Sequence, residues 1–349
     1  VSTATPPAPV PLLAVPNRSA VRVVAHRGSS DAVPEHTLAA YRLAIEEGAD
    51  ALECDVRLTA DGHLVCVHDR RVDRTSDGRG VVSTLELAQL AELDFGSWKD
   101  GGPPGEPEAP DRVPPAPGPD GTGTAAGREA DPERSSVLTL ERLLELVADA
   151  GRRVELAIET KHPTRYAGRV EAELLRLLHR FGLPGHDRGR AGGGAEPPPV
   201  RIMSFSQLSL RRVRQAAPSI PTVFLMERLP LRFRDGSLPR GTGIAGPGID
   251  LVRANPGFVA RLHRAGHRVH VWTVDEPADV ELCLRLGVDA IITNRPRQVL
   301  GQLGRGGGTP GVRSAAEGPR TGVGGLLPDP GAASGRTPGR APGRERDRS

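Results

Sequence analysis

Residues 51–69 read ALECDVRLTADGHLVCVHD. Over 51–58 apolar and polar side chains alternate, so Glu53 and Asp55 share one face of a strand while Leu52, Cys54 and Val56 share the other. Two carboxylates on one face repel, and a cation, a shared proton or bulk water has to offset them. The chain then turns through Thr59-Ala60-Asp61-Gly62, where Gly62 can take positive φ, and returns over 64–68, which predicts an antiparallel hairpin. Pairing Thr59 with Leu64 sets His68 opposite Asp55, and a slip of two residues still returns the histidine to the level of the carboxylates. Asp69 is placed to orient the ring or to cap the next turn. In isolation an E-x-D hairpin reads as solvated charge, so the meaning of this one depends on its neighbours.

Upstream, residues 21–25 form a short apolar strand ending in His26-Arg27-Gly28. After a polar loop, Pro34-Glu35-His36-Thr37 leads into a helix with Thr37 as N-cap, Leu38, Tyr41 and Ile45 at helical spacing, and Gly48 as its stop. Strand, helix and strand of this length make a right-handed βαβ unit, so His26 and Glu53 end neighbouring parallel strands. Downstream, Ser83-Thr84-Leu85-Glu86 has the form of a capping box for a helix through Leu93, and Thr139 caps a helix over 140–150. A strand at 154–158 ends in Glu159-Thr160-Lys161. Further strands are predicted at 200–204, 222–225, 249–252, 269–273 and 288–293, with helices between most of them.

These are eight strands, and residues 21–300 less an insertion at 101–135 come to 245 residues, close to the roughly 250 typical of a (β/α)8 TIM barrel. The fold class is therefore α/β, a single barrel over 21–300 with a small insertion after the second strand. Residues 1–20, 101–135, 185–199 and 301–349 are rich in Gly, Pro, Ala and Arg, poor in large apolar side chains, and expected to be disordered.

Composition narrows the function. Of 46 basic residues only Lys99 and Lys161 are lysine, and the net charge is +3, which points to nucleotide-composition bias more than to a nucleic-acid surface. Aromatics make up 3%, too few for a stacking platform. Cys54, Cys66 and Cys283 lack metal-ligand spacing and read as buried thiols of a reducing compartment, so a cytoplasmic location is expected. Residues 1–19 make a poor signal peptide and no membrane span, although the chain does not begin with Met and an unseen export signal stays open.

In a closed parallel barrel every strand end opens on one mouth, which gathers His26, Arg27, Glu53, Asp55, Glu159, Lys161, Phe205 and Trp272, with His68 delivered by the hairpin. Three carboxylates form an oxygen-only site suited to Mg²⁺ or Ca²⁺ rather than Zn²⁺. Arg27 and Lys161 beside it point to a phosphate, and two histidines suit acid-base work on a poor leaving alcohol. Arg27 and Lys161 could equally pair with the acids, and Phe205 and Trp272 could be packing. His63, His162, His179, His263 and His267 read as surface or loop residues.

In order and spacing, HRG at 26–28, a near-match to E-N-T at 35–37, E-x-D at 53–55, V-H-D at 67–69, E-x-K at 159–161, S-F at 204–205, V-W-T at 271–273 and GVDAIITN at 287–294 resemble the glycerophosphodiester phosphodiesterase family of bacteria. The resemblance runs from about Val21 to Pro296. It implies a divalent cation on Glu53, Asp55 and Glu159, His26 and His68 as acid-base pair, and substrate contacts from Arg27, Lys161, Glu35, Phe205 and Trp272. It also implies hydrolysis of a small-molecule glycerophosphodiester to sn-glycerol 3-phosphate and an alcohol through a cyclic phosphate. His36 stands where the family usually has Asn. The alternatives are a phospholipase D-like or cyclising lyase on the same barrel, or a barrel that binds phosphodiesters without turnover. Head group, choice of cation and oligomeric state are left open.

Overall fold

The computed structural model describes residues 18–99, 131–183 and 200–305. Eight parallel strands close into a barrel: β1 (Arg22–His26), β2 (Ala51–Leu58), β4 (Glu155–Thr160), β5 (Val200–Ser204), β6 (Thr222–Met226), β7 (Ile244–Pro247), β8 (Arg268–Val271) and β9 (Ala290–Thr293). Pairing of β1 with both β2 and β9 makes the closure. A ninth strand, β3 (Leu64–Cys66), adds antiparallel to β2 outside the ring.

Burial on both faces of the barrel strands is what a ring of helices around a filled interior demands. Leu52, Cys54 and Val56 of β2 pack outward with Leu143, Leu174 and Leu178 of the flanking helices. The inward positions form layers. Val24, Ala51, Ala157, Met203, Val223, Ile244, Ala290 and Ile292 make an apolar waist. Two residues further along each strand from the waist come the polar groups of the mouth, among them His26, Glu53 and Glu159. Two residues the other way, at the strand starts, come Arg22, Glu155 and Arg201.

Several expectations are corrected. Residues 249–252 are helical, within Ile249–Ala254, and the seventh barrel strand is Ile244–Pro247. Its sequence, IAGP, hides a strand because Gly and Pro are poor strand formers. Pro247 sits at the strand end, and a Cβ on Gly246 would come within 2.6 Å of Leu225 Cδ2. The hairpin register is one residue off the expected pairing. Leu58 faces Leu64 because Thr59 pairs with His63 around a three-residue turn, with the Thr59 hydroxyl accepting from His63 N at 2.8 Å. The box expected at Ser83 and Glu86 gives only a 3-10 turn, Val82–Thr84. The helix begins one turn later, at Leu87–Ala91, with Glu86 N–H donating to Gln89 Oε1.

The expected disordered segments are structured at their described ends. Arg18–Ala20 is a 3-10 turn. Asp131 caps a helix at Pro132–Ser135, tied down by a bidentate Arg42–Glu133 pair and by Phe95 N–H donating to Ser135 O. The last described helix, Pro296–Gln302, crosses residue 300, and Arg305 pairs with Asp50. The remaining parts of those segments lie outside the described residues.

Candidate active site

The mouth begins with the turn after β1. Arg27 takes φ of +57° and Gly28 +87°, and a Cβ on Gly28 would strike the backbone of Ala40 at 2.6 Å. Only glycine allows the turn to lie so tightly against the following helix. The left-handed turn aims Arg27 N–H at Glu53, where it donates to the carbonyl at 3.2 Å and to Oε2 at 3.0 Å. Holding a non-glycine residue at positive φ costs free energy that the surrounding contacts must offset.

The β1–β2–β4 register sets His26 beside Glu53 and Asp55 beside Glu159. One oxygen from each of Glu53, Asp55 and Glu159 lies within 4.8 Å of the others, and all three residues are buried. Burial pushes the Glu53 carboxyl well above its ordinary value, with Asp55 adding to the rise. Burial likewise lifts Glu159 to about 7, although Lys161 opposes it. Burial pushes Asp55 upward too, but Lys161, Arg27 and His36 hold it well below the usual range. Lys161 Nζ stands 3.0 Å from both Asp55 Oδ1 and Glu159 Oε1. A buried, oxygen-only trio in which burial drives Glu53 and Glu159 toward their neutral forms while Asp55 stays ionised fits a hard divalent cation, which would displace the protons of the two glutamates.

Each mouth histidine has one nitrogen committed. His26 Nδ1 lies 2.7 Å from Asn294 Oδ1, and Asn294 Nδ2 donates to Asp275, which fixes the amide and makes Nδ1 the protonated nitrogen of His26. Nε2 then carries a lone pair, 4.0 Å from Glu53 Oε2. Burial, assisted by Arg27, lowers the His26 pKa to about 3. His68 Nδ1 donates to Asp69 Oδ1 at 2.6 Å, and Arg74 Nε holds the other Asp69 oxygen at 2.6 Å. His68 is about one third exposed; burial lowers its pKa while Asp69 opposes the fall. Its place follows from the hairpin, since Val67 N–H still donates to the Asp55 carbonyl at 3.1 Å. The chain leaves β3 after Cys66, and Arg57 donates twice to the His68 carbonyl.

A model of the glycerophosphoryl diester phosphodiesterase family matches residues 26–298. The chain belongs to this family. It is 44% identical over 289 residues to a Mycobacterium tuberculosis protein named "Probable glycerophosphodiester phosphodiesterase 1", covering 82% of this chain and 94% of that one. It is 34% identical over 285 residues to the glycerophosphodiester phosphodiesterase of Bacillus subtilis, covering 79% and 84%. Among solved structures, an Oleispira antarctica phosphodiesterase in complex with the product sn-glycerol-3-phosphate superposes with a TM-score of 0.63 at 23% identity, over 81% of this chain and 96% of that one. The fold is therefore the family's barrel and the protein is an enzyme, a phosphoric diester hydrolase.

In this phosphodiesterase a cavity of about 70 Å³ is lined by His26, Arg27, Glu53, His68, Glu159, Lys161, Phe205 and Trp272, so eight of the ten expected site residues converge on it. Asp55 lies beneath, at 1% exposure. Glu35 does not line the cavity. It accepts from Arg27 Nη1 at 2.9 Å and from both Arg74 Nη atoms, so it holds Arg27 in place. Burial favours its neutral form, yet the two arginines keep its carboxyl below the ordinary range. Phe205 meets Trp272 edge to face at 5.5 Å, and Trp272 Nε1 donates to Gly246 O.

Sequence reasoning did not assign Arg74, Asn294, Glu227 or the contacts of His36. Glu227 lines the cavity two residues past Leu225, so the period of β6 could have exposed it, whereas Arg74 comes from a loop with no periodic signal. His36, at φ of +60°, lies buried with Nε2 donating to Asp55 Oδ2 at 2.9 Å and Nδ1 facing the Tyr41 hydroxyl at 2.8 Å. The replacement for the usual Asn thus sits under the carboxylate trio.

Proposed function

We propose that this chain hydrolyses glycerophosphodiesters to sn-glycerol 3-phosphate and an alcohol, with Glu53, Asp55 and Glu159 holding a Mg²⁺ or Ca²⁺ ion. The observation that carries the reading is the buried carboxylate trio flanked by two histidines, each with one nitrogen clamped by an acceptor. Glu53, Asp55 and Glu159 would hold the cation, which would supply positive charge for the phosphoryl oxygens and acidify the neighbouring glycerol 2-hydroxyl.

Arg27 and Lys161 are the phosphate-facing cations of the mouth. Their partners Glu35, Asp55 and Glu159 keep both charged and positioned. His26 offers an Nε2 lone pair, so it takes the proton of the glycerol 2-hydroxyl as that oxygen attacks phosphorus. His68, paired through Nδ1 with Asp69, is the better imidazolium and gives its Nε2 proton to the departing alcohol. Opening of the cyclic phosphate by water reverses both transfers: His68 accepts the water proton, and His26 returns one to the 2-oxygen. Phe205 and Trp272 supply an apolar wall for the carbon skeleton of the substrate. Cys54, Cys66 and Cys283 are free and buried, in keeping with a cytoplasmic enzyme. Among the described residues no helix is long and apolar enough to cross a membrane.

The test is release of sn-glycerol 3-phosphate from a panel of glycerophosphodiesters with Mg²⁺, Ca²⁺ or chelator present. Turnover that needs a divalent ion supports the reading. Accumulation of the cyclic phosphate would make the protein a lyase, and binding without turnover under every condition would reduce it to a phosphodiester-binding barrel.

A further inference from the structure

The opposite end of the barrel carries a second polar layer that the reaction does not use. At the strand starts, Arg22 of β1, Glu155 of β4, Arg201 of β5, and Arg268 and His270 of β8 line a cavity of about 200 Å³. The apolar waist, including Val24, Ala157 and Met203, separates it from the mouth.

Charge at this end does not balance. Glu155, 2% exposed, accepts from Arg22 Nη2 at 2.5 Å and from Arg201 Nη1 at 2.7 Å, so one carboxylate serves two guanidinium groups. Two further carboxylates stand at this end, Asp289 in the lining of the same cavity and Asp50 beside Arg22, and both have partners of their own. Asp289 accepts from Val269 N–H and faces His263. Asp50 accepts from Val23 N–H and binds Arg305 through both oxygens, standing 3.6 Å from Arg22. Arg201, only 7% exposed, has no hydrogen-bond partner for Nε or Nη2, and neither Arg22 Nε nor His270 Nδ1 has one.

A buried guanidinium needs its donors satisfied as well as its charge matched, because each unmet requirement costs kcal/mol inside a protein. Burial, together with the repulsion of Arg22 and Arg268, works against the charge on Arg201, and burial keeps His270 neutral. What the layer lacks is negative charge with several acceptor lone pairs. A small tetrahedral oxyanion supplies both, and guanidinium forks match its geometry.

We propose that the cavity at the strand starts, around Arg201, Arg22, Arg268 and His270, binds a small inorganic oxyanion of the phosphate or sulfate type, distinct from the phosphoryl group handled at the mouth.

Calorimetric titration of the full chain with inorganic phosphate, in chelator and at constant ionic strength, tests this. Lys161→Met removes one of the two phosphate-facing cations of the mouth and should leave the site at the strand starts intact. Arg268→Gln, at an exposed strand-start position, should weaken that site about tenfold, and Arg201→Met should abolish it. Sulfate should compete, and chloride at the same ionic strength should not. If Arg201→Met fails to fold, Arg268→Gln in the Lys161→Met background still decides the matter. Phosphate binding that disappears with Lys161→Met, ignores Arg268→Gln, or is matched by chloride overturns the proposal and leaves water as the filling of the cavity.

Discussion

Removing the divalent cation makes the carboxylate trio reveal its own charge balance, and Glu159 sets the size of the effect. Its carboxyl is lifted by burial from an ordinary 4.5 to about 7 in the folded chain. A group whose pKa is raised by folding contributes stability that is fully present below the unfolded value and is lost as pH rises through the folded one. Each pKa unit is worth about 1.4 kcal/mol, so the metal-free protein should lose roughly 3 kcal/mol through this residue between pH 4.5 and 8. Asp55 has the opposite sign: held below its ordinary value, its contribution is lost only as pH falls through the folded value, so it stays out of this window. Glu159→Gln keeps the shape and removes the titration. Urea unfolding of the chelated wild type and variant across pH 5 to 8 should show the wild type falling by roughly 2–3 kcal/mol more than the variant, and saturating Mg²⁺ or Ca²⁺ should restore it. Parallel pH profiles in chelator would refute the claim that Glu159 carries an uncompensated buried charge.

In turnover, the same Glu159→Gln variant should lose about a hundredfold or more in kcat/KM at saturating metal, and normal metal binding with normal kinetics would remove Glu159 from the site. His68→Ala should lose roughly 10²–10⁴-fold on a choline or ethanolamine diester and far less on a p-nitrophenyl diester, whose alcohol needs no proton to leave; equal losses would assign His68 to binding. Asn294→Leu should cut kcat by about tenfold or more with little change in KM, because the His26 tautomer is no longer imposed, and an unchanged kcat would show that His26 is oriented without it. The 2-deoxy analogue of glycerophosphocholine should bind competitively yet react orders of magnitude more slowly; comparable turnover of the two diesters would sink attack by the 2-hydroxyl and favour direct hydrolysis by water.

Much of this molecule is legible in its chain because strand alternation and helix caps are local properties. The period of two placed Glu53 and Asp55 on one face, the βαβ spacing set His26 next to Glu53, and the count of strands led to a closed barrel whose mouth had to collect Glu159 and Lys161. Where local signals were weak or misleading, only the folded chain decided. The seventh strand, IAGP, looks like a turn until the barrel closes around it, while the apolar run that follows buries Ile249, Leu251 and Val252 on one side of a helix. Side-chain partnerships across long separations were invisible for the same reason. The tautomer of His26 depends on Asn294, 268 residues away, and Arg27 is held by a Glu35 that is shared with Arg74. The charge of the carboxylate trio and the unmatched arginines at the strand starts are likewise set by burial, and burial is a property of the closed barrel that no stretch of sequence carries alone.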